Sequence, residues 1–139
     1  MAPEQSVQPT RRRPNDSLRI PSRRFEPTAQ SVAAVRRMVD THLAHVTPAC
    51  RDAVSLIASE LASNAVLHAR TPYVVELRID DAVRIEVTDN APGSPMLRRV
   101  PSNAESGRGL ALVARVSTQW GVDWLDDCKV AWAEVDLDQ

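Results

Sequence analysis

The chain has 139 residues, a length typical of one domain, and its 43% apolar and 25% charged residues argue against global disorder. No apolar run approaches the ~20 residues that cross a bilayer, and the N-terminus lacks the apolar segment and cleavage site of a secretory signal. Cys50 and Cys128 are far apart and have no metal-binding neighbour at close spacing. This pattern excludes a disulfide framework, argues against a zinc site, and favours a cytoplasmic protein.

The net charge of −1 hides an asymmetry along the chain. Residues 1–37 contain eight arginines and three acidic residues, whereas residues 38–139 contain nine basic and fifteen acidic residues. Nucleic-acid affinity depends on neutralising phosphates and stacking bases, so the acidic body with few aromatic residues is unsuited to direct nucleic-acid binding. Residues 1–16, rich in arginine and proline, are expected to form a disordered tail ahead of a domain over residues 17–139.

An edge strand and a helix are the first predicted elements. Ser17–Phe25 has strand character, and Pro21 would confine this strand to the edge of a sheet or to a bulge. Apolar residues then recur at spacings of three and four, which predicts an amphipathic helix capped by Thr28 or Ser31.

A second helix is predicted with Thr47 as its N-cap and Pro48 at its first position, where the missing N–H costs nothing. It is expected to end near Ala69 or Arg70, before Pro72. One stripe of this helix is predicted to face the core: Val54, Ala58, Leu61 and Ala65.

Apolar and polar residues alternate in two predicted strands, Tyr73–Ile79 and Ala82–Thr88. A sheet with one polar face is typically antiparallel and covered by helices on its apolar side only. We therefore expect an α+β fold, a two-layer α/β sandwich whose mixed, mainly antiparallel sheet has helices on one face.

A long proline-containing loop over residues 90–107 is expected to precede the last helix. Loops of this length in compact domains are usually functional or disordered, and we interpret residues 94–106 as a lid. The helix is predicted over about residues 109–118, with Gly121 ending it. Two closing strands complete the predicted sheet: Gly121–Leu125 and Lys129–Leu137.

Three polar residues follow one another at four-residue spacing on the second helix: Glu60, Asn64 and His68. Each step drifts by about 40° around a helix, so all three project from one side. A carboxylate and a carboxamide one turn apart suit Mg²⁺, which prefers oxygen ligands and keeps positions for water and substrate phosphates. The alternative is a solvated polar face.

Asp89 and a glycine pair suggest further contacts. Asp89 continues the apolar face of its strand, so its carboxylate must either cap the following turn or accept an N–H from a ligand, such as the adenine amine. Gly107-Arg108-Gly109 immediately precedes the last predicted helix, where backbone N–H groups can approach phosphate, although such a motif is often a simple helix entry.

Taken in order, three segments resemble the N, G1 and G2 boxes of the GHKL ATPase superfamily: ELASNAVLHA (60–69), DNAPG (89–93) and GRGLALV (107–113). The likeness extends over residues 25–137 and is strongest to stand-alone anti-sigma-factor serine/threonine kinases. It implies a Bergerat fold that binds ATP and Mg²⁺ in a histidine-kinase-like ATPase domain.

The resemblance also implies roles for individual residues. Glu60 would be the catalytic base or would position the nucleophile, Asn64 would coordinate Mg²⁺, and Asp89 would accept the adenine amine. Arg36, on the first helix, resembles a position used toward protein partners. The remaining implied nucleotide-binding residues are Gly93, Gly107, Arg108, Gly109 and Leu110.

Two departures from the family pattern concern the nucleotide. Ala91 stands where many relatives carry glycine, and Val130 stands where relatives often carry a threonine whose hydroxyl contributes to nucleotide binding. We therefore expect Val130 to remove one possible contact.

The resemblance implies an ATP-binding regulatory kinase that phosphorylates a serine or threonine of an anti-sigma antagonist protein, sequesters a sigma factor, or does both. It implies no membrane partner and leaves a homodimer open. The alternative is a nucleotide-gated binding module without phosphotransfer. A histidine-kinase fragment is disfavoured, because no dimerising hairpin with a phospho-accepting histidine is evident in the sequence.

Overall fold

The computed structural model describes residues 18–90 and 104–138, with the backbone alone described over 104–108. A π-helical turn, Ala65–Ala69, continues the second of the three helices in these described ranges. The elements in chain order are β1 (Leu18–Phe25), α1 (Ala29–His42), α2 (Pro48–Asn64), β2 (Tyr73–Ile79), β3 (Ala82–Asp89), α3 (Ala104–Val116), β4 (Gln119–Trp124) and β5 (Lys129–Asp136).

The five strands form one sheet in the order β1-β2-β3-β5-β4, and all four pairs of described strands are antiparallel. β1 lies at one edge, and its register with β2 shifts between Ile20 and Arg23. Pro21 falls within this irregularity, as expected for a residue that lacks the backbone N–H a regular ladder requires. The predicted α+β sandwich and the edge position of the first strand are confirmed.

Both predicted helix starts are confirmed by capping hydrogen bonds. Thr28 Oγ1 accepts the backbone N–H of Ser31 at 3.2 Å, and Thr47 Oγ1 accepts that of Cys50 at 3.1 Å. Each cap satisfies one of the N–H groups that have no partner in the first helical turn. α1 and α2 therefore begin where the sequence predicts.

The second helix ends as predicted but changes its winding on the way. After Asn64 the chain forms the π-helical turn, and the N–H of Arg70 donates to the carbonyl of Ala65, five residues earlier. Arg70 has a φ of 57°, the left-handed conformation that commonly closes helices. π-helical turns are rare and occur frequently at functional sites.

The prediction for the last helix is wrong at its start and in the role of one glycine. α3 begins at Ala104, five residues earlier than expected, so Gly107 and Gly109 lie inside the helix. Packing against α2 outweighs their low helix propensity. Gly121 lies in β4, where a Cβ atom would come within 2.8 Å of the Trp132 ring. This glycine is required by the tryptophan above it and does not end the helix.

The helices cover the apolar face of the sheet, and α2 packs over β3 and β5. Alternate residues of β2 and β3 are buried beneath them, as predicted. Burial, with the nearby charge of Asp136, raises the pKa of the Cys50 thiol, which keeps it protonated within this core.

The opposite face of the sheet carries a network of ion pairs. Arg84 donates from Nε to Glu86 and from Nη1 to Glu134, both at 2.8 Å, and its guanidinium lies 4.2 Å from the Trp132 ring centre. Burial alone would lower the pKa of Arg84, but the two glutamates raise it overall, so the side chain stays charged. Within the described residues, no helix combines the length and apolar character needed to span a membrane.

Candidate nucleotide-binding site

Asp89 is the last residue of β3 and is 1% exposed, which confirms that its side chain points into the covered face of the sheet. A buried carboxylate is costly unless it is paired. Lys129, its direct cross-strand neighbour at the start of β5, places its ammonium 3.4 Å from Asp89 Oδ2. The backbone N–H of Asn90 donates to Thr71 Oγ1 at 3.1 Å, which ties the chain leaving β3 to the start of β2.

The ammonium of Lys129 is itself largely withdrawn from water. Its side chain is 15% exposed, and Nζ lies 5.4 Å from the centre of the Trp124 ring, on the cross-strand neighbour in β4. Acceptor, ammonium and aromatic ring thus follow one another across the ends of β3, β5 and β4. The Asp89 carboxylate, an acceptor, and the Lys129 ammonium, a donor, therefore lie side by side where little of either side chain is exposed to solvent.

The motifs in the sequence predict no role for Lys129, although two of its features indicate one. It begins the apolar period-two face of β5, just as Asp89 ends that of β3. It is also the only lysine in a chain whose other sixteen basic residues are arginines. A compact ammonium fits a confined place beside a carboxylate where a planar guanidinium needs more room.

The expectation that Val130 removes a nucleotide contact rests on the wrong face of the sheet. Val130 pairs with Thr88, and both side chains alternate with the buried residues of their strands. Asp89 and Lys129 point to the helix-covered side, so Val130 points to the other. The residue that faces Asp89 from β5 is Lys129.

Glu60 and Gly109 are brought into direct proximity, although 49 positions separate them in the sequence. A Cβ atom built on Gly109 would lie 2.7 Å from Glu60 Oε1. Gly109 is buried within α3, and Glu60 is half-buried on α2. The absence of a side chain at Gly109 therefore makes room for the Glu60 carboxylate between the two helices.

Asn64 is half-buried at the C-terminal end of α2, one turn after Glu60, and His68 is exposed on the π-helical turn. That turn contacts β3, the strand that ends at Asp89. No cluster of three or more histidine, cysteine or acidic side chains suited to a metal occurs among the described residues. The carboxamide oxygen of Asn64, completed by phosphate and water oxygens, is nevertheless compatible with the sparse protein ligation of Mg²⁺.

Arg36 joins the first two helices. Its Nη1 donates to Ser59 Oγ at 3.1 Å, and Ser59 Oγ donates to the carbonyl of Ser55. This contact holds α1 against α2 at the residue before Glu60. The partner-binding role expected for Arg36 stays a prediction.

The other predicted site residues are described in part or not at all. Leu110 is half-buried in α3, which also contains the backbone of Gly107 and Arg108. Gly93, Ala91 and the predicted lid up to residue 103 lie outside the described residues, as does the predicted tail. A cavity of about 480 Å³ lies at the far end of the β2–β3 hairpin, lined by Arg78, Asp80, Asp81, Ala82, Arg84 and Glu134. It contains none of the predicted site residues.

Replacing Gly109 by alanine tests the contact with Glu60. The new methyl group would displace the Glu60 carboxylate, the end of a flexible side chain, while alanine favours helix by about 1 kcal/mol over glycine. We expect Gly109→Ala to unfold at nearly the same denaturant concentration as the parent and to change the ¹³C shift of the Glu60 carboxyl carbon. The contrasting variant Gly121→Ala meets a fixed indole ring and should destabilise the protein. An unchanged Glu60 signal in Gly109→Ala would contradict the contact.

The Asp89–Lys129 pair is testable by a double-mutant cycle. Lys129→Met leaves the buried carboxylate without its cross-strand charge, and breaking a buried pair costs about 3 kcal/mol of unfolding free energy. Asp89→Asn combined with Lys129→Met removes both charges and should be less destabilising than the sum of the single changes. Urea unfolding of all four proteins at pH 7 measures the coupling. Additive losses would show that the two groups do not interact.

Comparison with known proteins identifies the family of the chain. A family model described as the histidine kinase-like ATPase domain matches residues 25–130. A search of curated protein sequences gave no significant match. Among solved structures, the RsbU and RsbW domains of Rv1364c from Mycobacterium tuberculosis share 19% identity with a TM-score of 0.65, over 85% of this chain and 33% of that chain.

A second solved structure, the histidine kinase AdeS of Acinetobacter baumannii, shares 11% identity with a TM-score of 0.52, over 88% of this chain and 70% of that chain. At these identities the likenesses show the fold alone, and this chain spans about a third of the Mycobacterium chain that it matches. The family match covers both halves of the candidate site described here, from α2 through β3 and α3 to the start of β5. The chain therefore belongs to the family of histidine kinase-like ATPase domains.

Proposed function

We propose that the chain binds ATP with Mg²⁺ and that the base lies against Asp89. The observation that carries this proposal is the burial of a carboxylate at the end of a central strand, beside a donor and on the helix-covered face. A carboxylate there can accept the exocyclic amine of adenine, and buried polar recognition of this kind discriminates strongly against ligands that lack the matching group. Membership of the ATPase family supports the same assignment.

The phosphates would lie toward α2 and α3, where Glu60 and Gly109 meet. Asn64 would hold Mg²⁺, which supplies charge neutralisation for the phosphates when bound. Gly107, Arg108 and Leu110 belong to the same first turns of α3, and Gly93 would border the base. Gly109 in α3 leaves room for the Glu60 carboxylate between the two helices. This contact supports the proposal that the carboxylate lies near the phosphates of ATP.

We further propose that the reaction is phosphoryl transfer to a serine or threonine of a partner protein, with Glu60 accepting the hydroxyl proton. Such transfer depends chiefly on positioning and on electrostatic stabilisation, which a carboxylate and a metal ion supply. The resemblance of ELASNAVLHA, DNAPG and GRGLALV to the motifs of anti-sigma-factor kinases supports a kinase of that type, with an anti-sigma antagonist or a sigma factor as partner. Arg36 on the exposed side of α1 is the proposed partner contact.

Asp89→Asn tests the adenine assignment. The amide loses the charge of the acceptor, and hydrogen bonds to charged groups are worth enough that ATP affinity should fall by at least about tenfold. Isothermal calorimetry with Mg-ATP measures the loss, with circular dichroism to confirm folding. Asp81→Asn, at the exposed opposite end of the same hairpin, is the matched control and should bind like the parent. Equal affinities for all three proteins would remove Asp89 from the site.

Glu60→Gln separates a kinase from a nucleotide-gated binding module. If Glu60 is the base, the variant should bind Mg-ATP within about threefold of the parent but lose roughly 100-fold or more in transfer rate. The measurement is transfer from γ-labelled ATP to serine or threonine in a lysate of the source cells. Glu76→Gln, on the opposite face of the sheet, is the control.

Two outcomes would redirect this proposal. A parent protein that binds Mg-ATP but labels no protein would favour the binding module, in which nucleotide controls partner association without transfer. A Glu60→Gln variant that transfers phosphate at the parental rate would show that Glu60 is not the base.

A further inference from the structure

Lys129, the single lysine of the chain, has no role in the proposed binding of ATP, yet it lies directly across from Asp89, the carboxylate proposed to bind adenine. Lys129 lies directly across from Asp89 in the β3–β5 ladder, and its Nζ is 3.4 Å from Asp89 Oδ2. The compact ammonium fits the confined place beside Asp89, and it carries three N–H donors, more than one carboxylate oxygen can accept. A donor is therefore available for a ligand at this end of the sheet.

The Lys129 ammonium is largely withdrawn from water. Its side chain is 15% exposed, and Nζ lies 3.4 Å from Asp89 Oδ2 and 5.4 Å from the centre of the Trp124 ring. An ammonium has three N–H donors and no acceptor. In a site with little water, a donor of this kind favours a ligand that places an acceptor next to it, because the hydrogen bond is stronger in a low-dielectric environment.

A carboxylate and an ammonium side by side match a ligand edge that carries a donor and an acceptor on neighbouring atoms. Adenine has such an edge: its exocyclic amine is a donor, and the adjacent ring nitrogen N1 is an acceptor. Asp89 alone would accept a hydrogen bond from the amine but could not donate one to N1. The pair would recognise both atoms, since a carboxylate has two oxygens that can accept the amine while the ammonium lies beside it.

We propose that Lys129 is a second base-reading residue, which donates a hydrogen bond to the ring nitrogen N1 of adenine while Asp89 accepts from the exocyclic amine. This inference rests on the proposed binding of ATP and assigns to the site a specificity determinant in β5. In the absence of nucleotide, the same ammonium compensates the buried carboxylate. One residue therefore serves both the empty and the occupied site.

The test removes the N1 atom of adenine and the ammonium of Lys129, first separately and then together. Calorimetry compares Mg-ATP with 1-deaza-ATP, in which a C–H group replaces N1, for the parent protein and for Lys129→Met. Loss of a hydrogen bond to a charged donor should weaken binding of 1-deaza-ATP to the parent by about tenfold. Lys129→Met should bind the two nucleotides within about twofold of each other. Purine riboside triphosphate, which lacks the amine, should bind weakly to both proteins because Asp89 is unchanged.

A second measurement avoids the variant. Because Lys129 is the only lysine, protein labelled with ¹⁵N-lysine gives one side-chain ammonium resonance. Mg-ATP should shift this resonance, and 1-deaza-ATP at saturation should shift it much less. Lys129→Arg, which keeps charge and donors, should retain part of the preference for N1.

Failure of this inference and failure of the proposed function give different results. If the parent binds ATP and 1-deaza-ATP equally, or if Lys129→Met keeps the full preference for N1, Lys129 does not read the base although ATP is bound. If the parent binds neither nucleotide, ATP binding itself is wrong, and the inference falls with it.

Discussion

The burial of the Asp89 carboxylate is the constraint on which the site depends. A charge at the end of a central strand, covered by helices, must be compensated, and β5 supplies the compensation directly across the ladder through Lys129. This requirement fixes the register of β3 with β5, since a slip by one residue would carry one charge to the opposite face of the sheet. Compensation of the Asp89 charge therefore requires the observed alignment of β3 with β5.

The second half of the site follows from how closely the helices approach. α2 packs over β3 and β5, and α3 packs on α2 at a glycine, so that Glu60 is held where a side chain on α3 would otherwise lie. The cap at Thr47 sets where α2 begins, and the π-helical turn after Asn64 changes the winding before the chain enters β2. Asp89 is thus placed by the strand ladder of the sheet, and Glu60 by the contact between α2 and α3 in the helix layer above it.

Much of this architecture could be predicted because local chemistry decides it. The N-caps Thr28 and Thr47, the alternation in β2 and β3, and the irregularity at Pro21 depend on neighbouring residues, and all were predicted. The start of α3 and the place of Gly121 were not, because packing on α2 and the Trp132 ring decide them. The Asp89–Lys129 pair joins residues 40 positions apart, and the register of β3 with β5 is not set by a hairpin turn, so residue order alone did not reveal it.

The proposed nucleotide site is the end of the sheet marked by Asp89, with the α2–α3 contact above it. The most direct measurement is a titration of isotope-labelled protein with Mg-ATP, followed by backbone and side-chain chemical shifts. We predict the largest changes at Asp89, Lys129, Glu60 and Gly109, with little change around Asp80 and Arg84 at the far end of the hairpin. Changes concentrated in the cavity beside Asp80 and Arg84, with none at Asp89 and Lys129, would contradict the account.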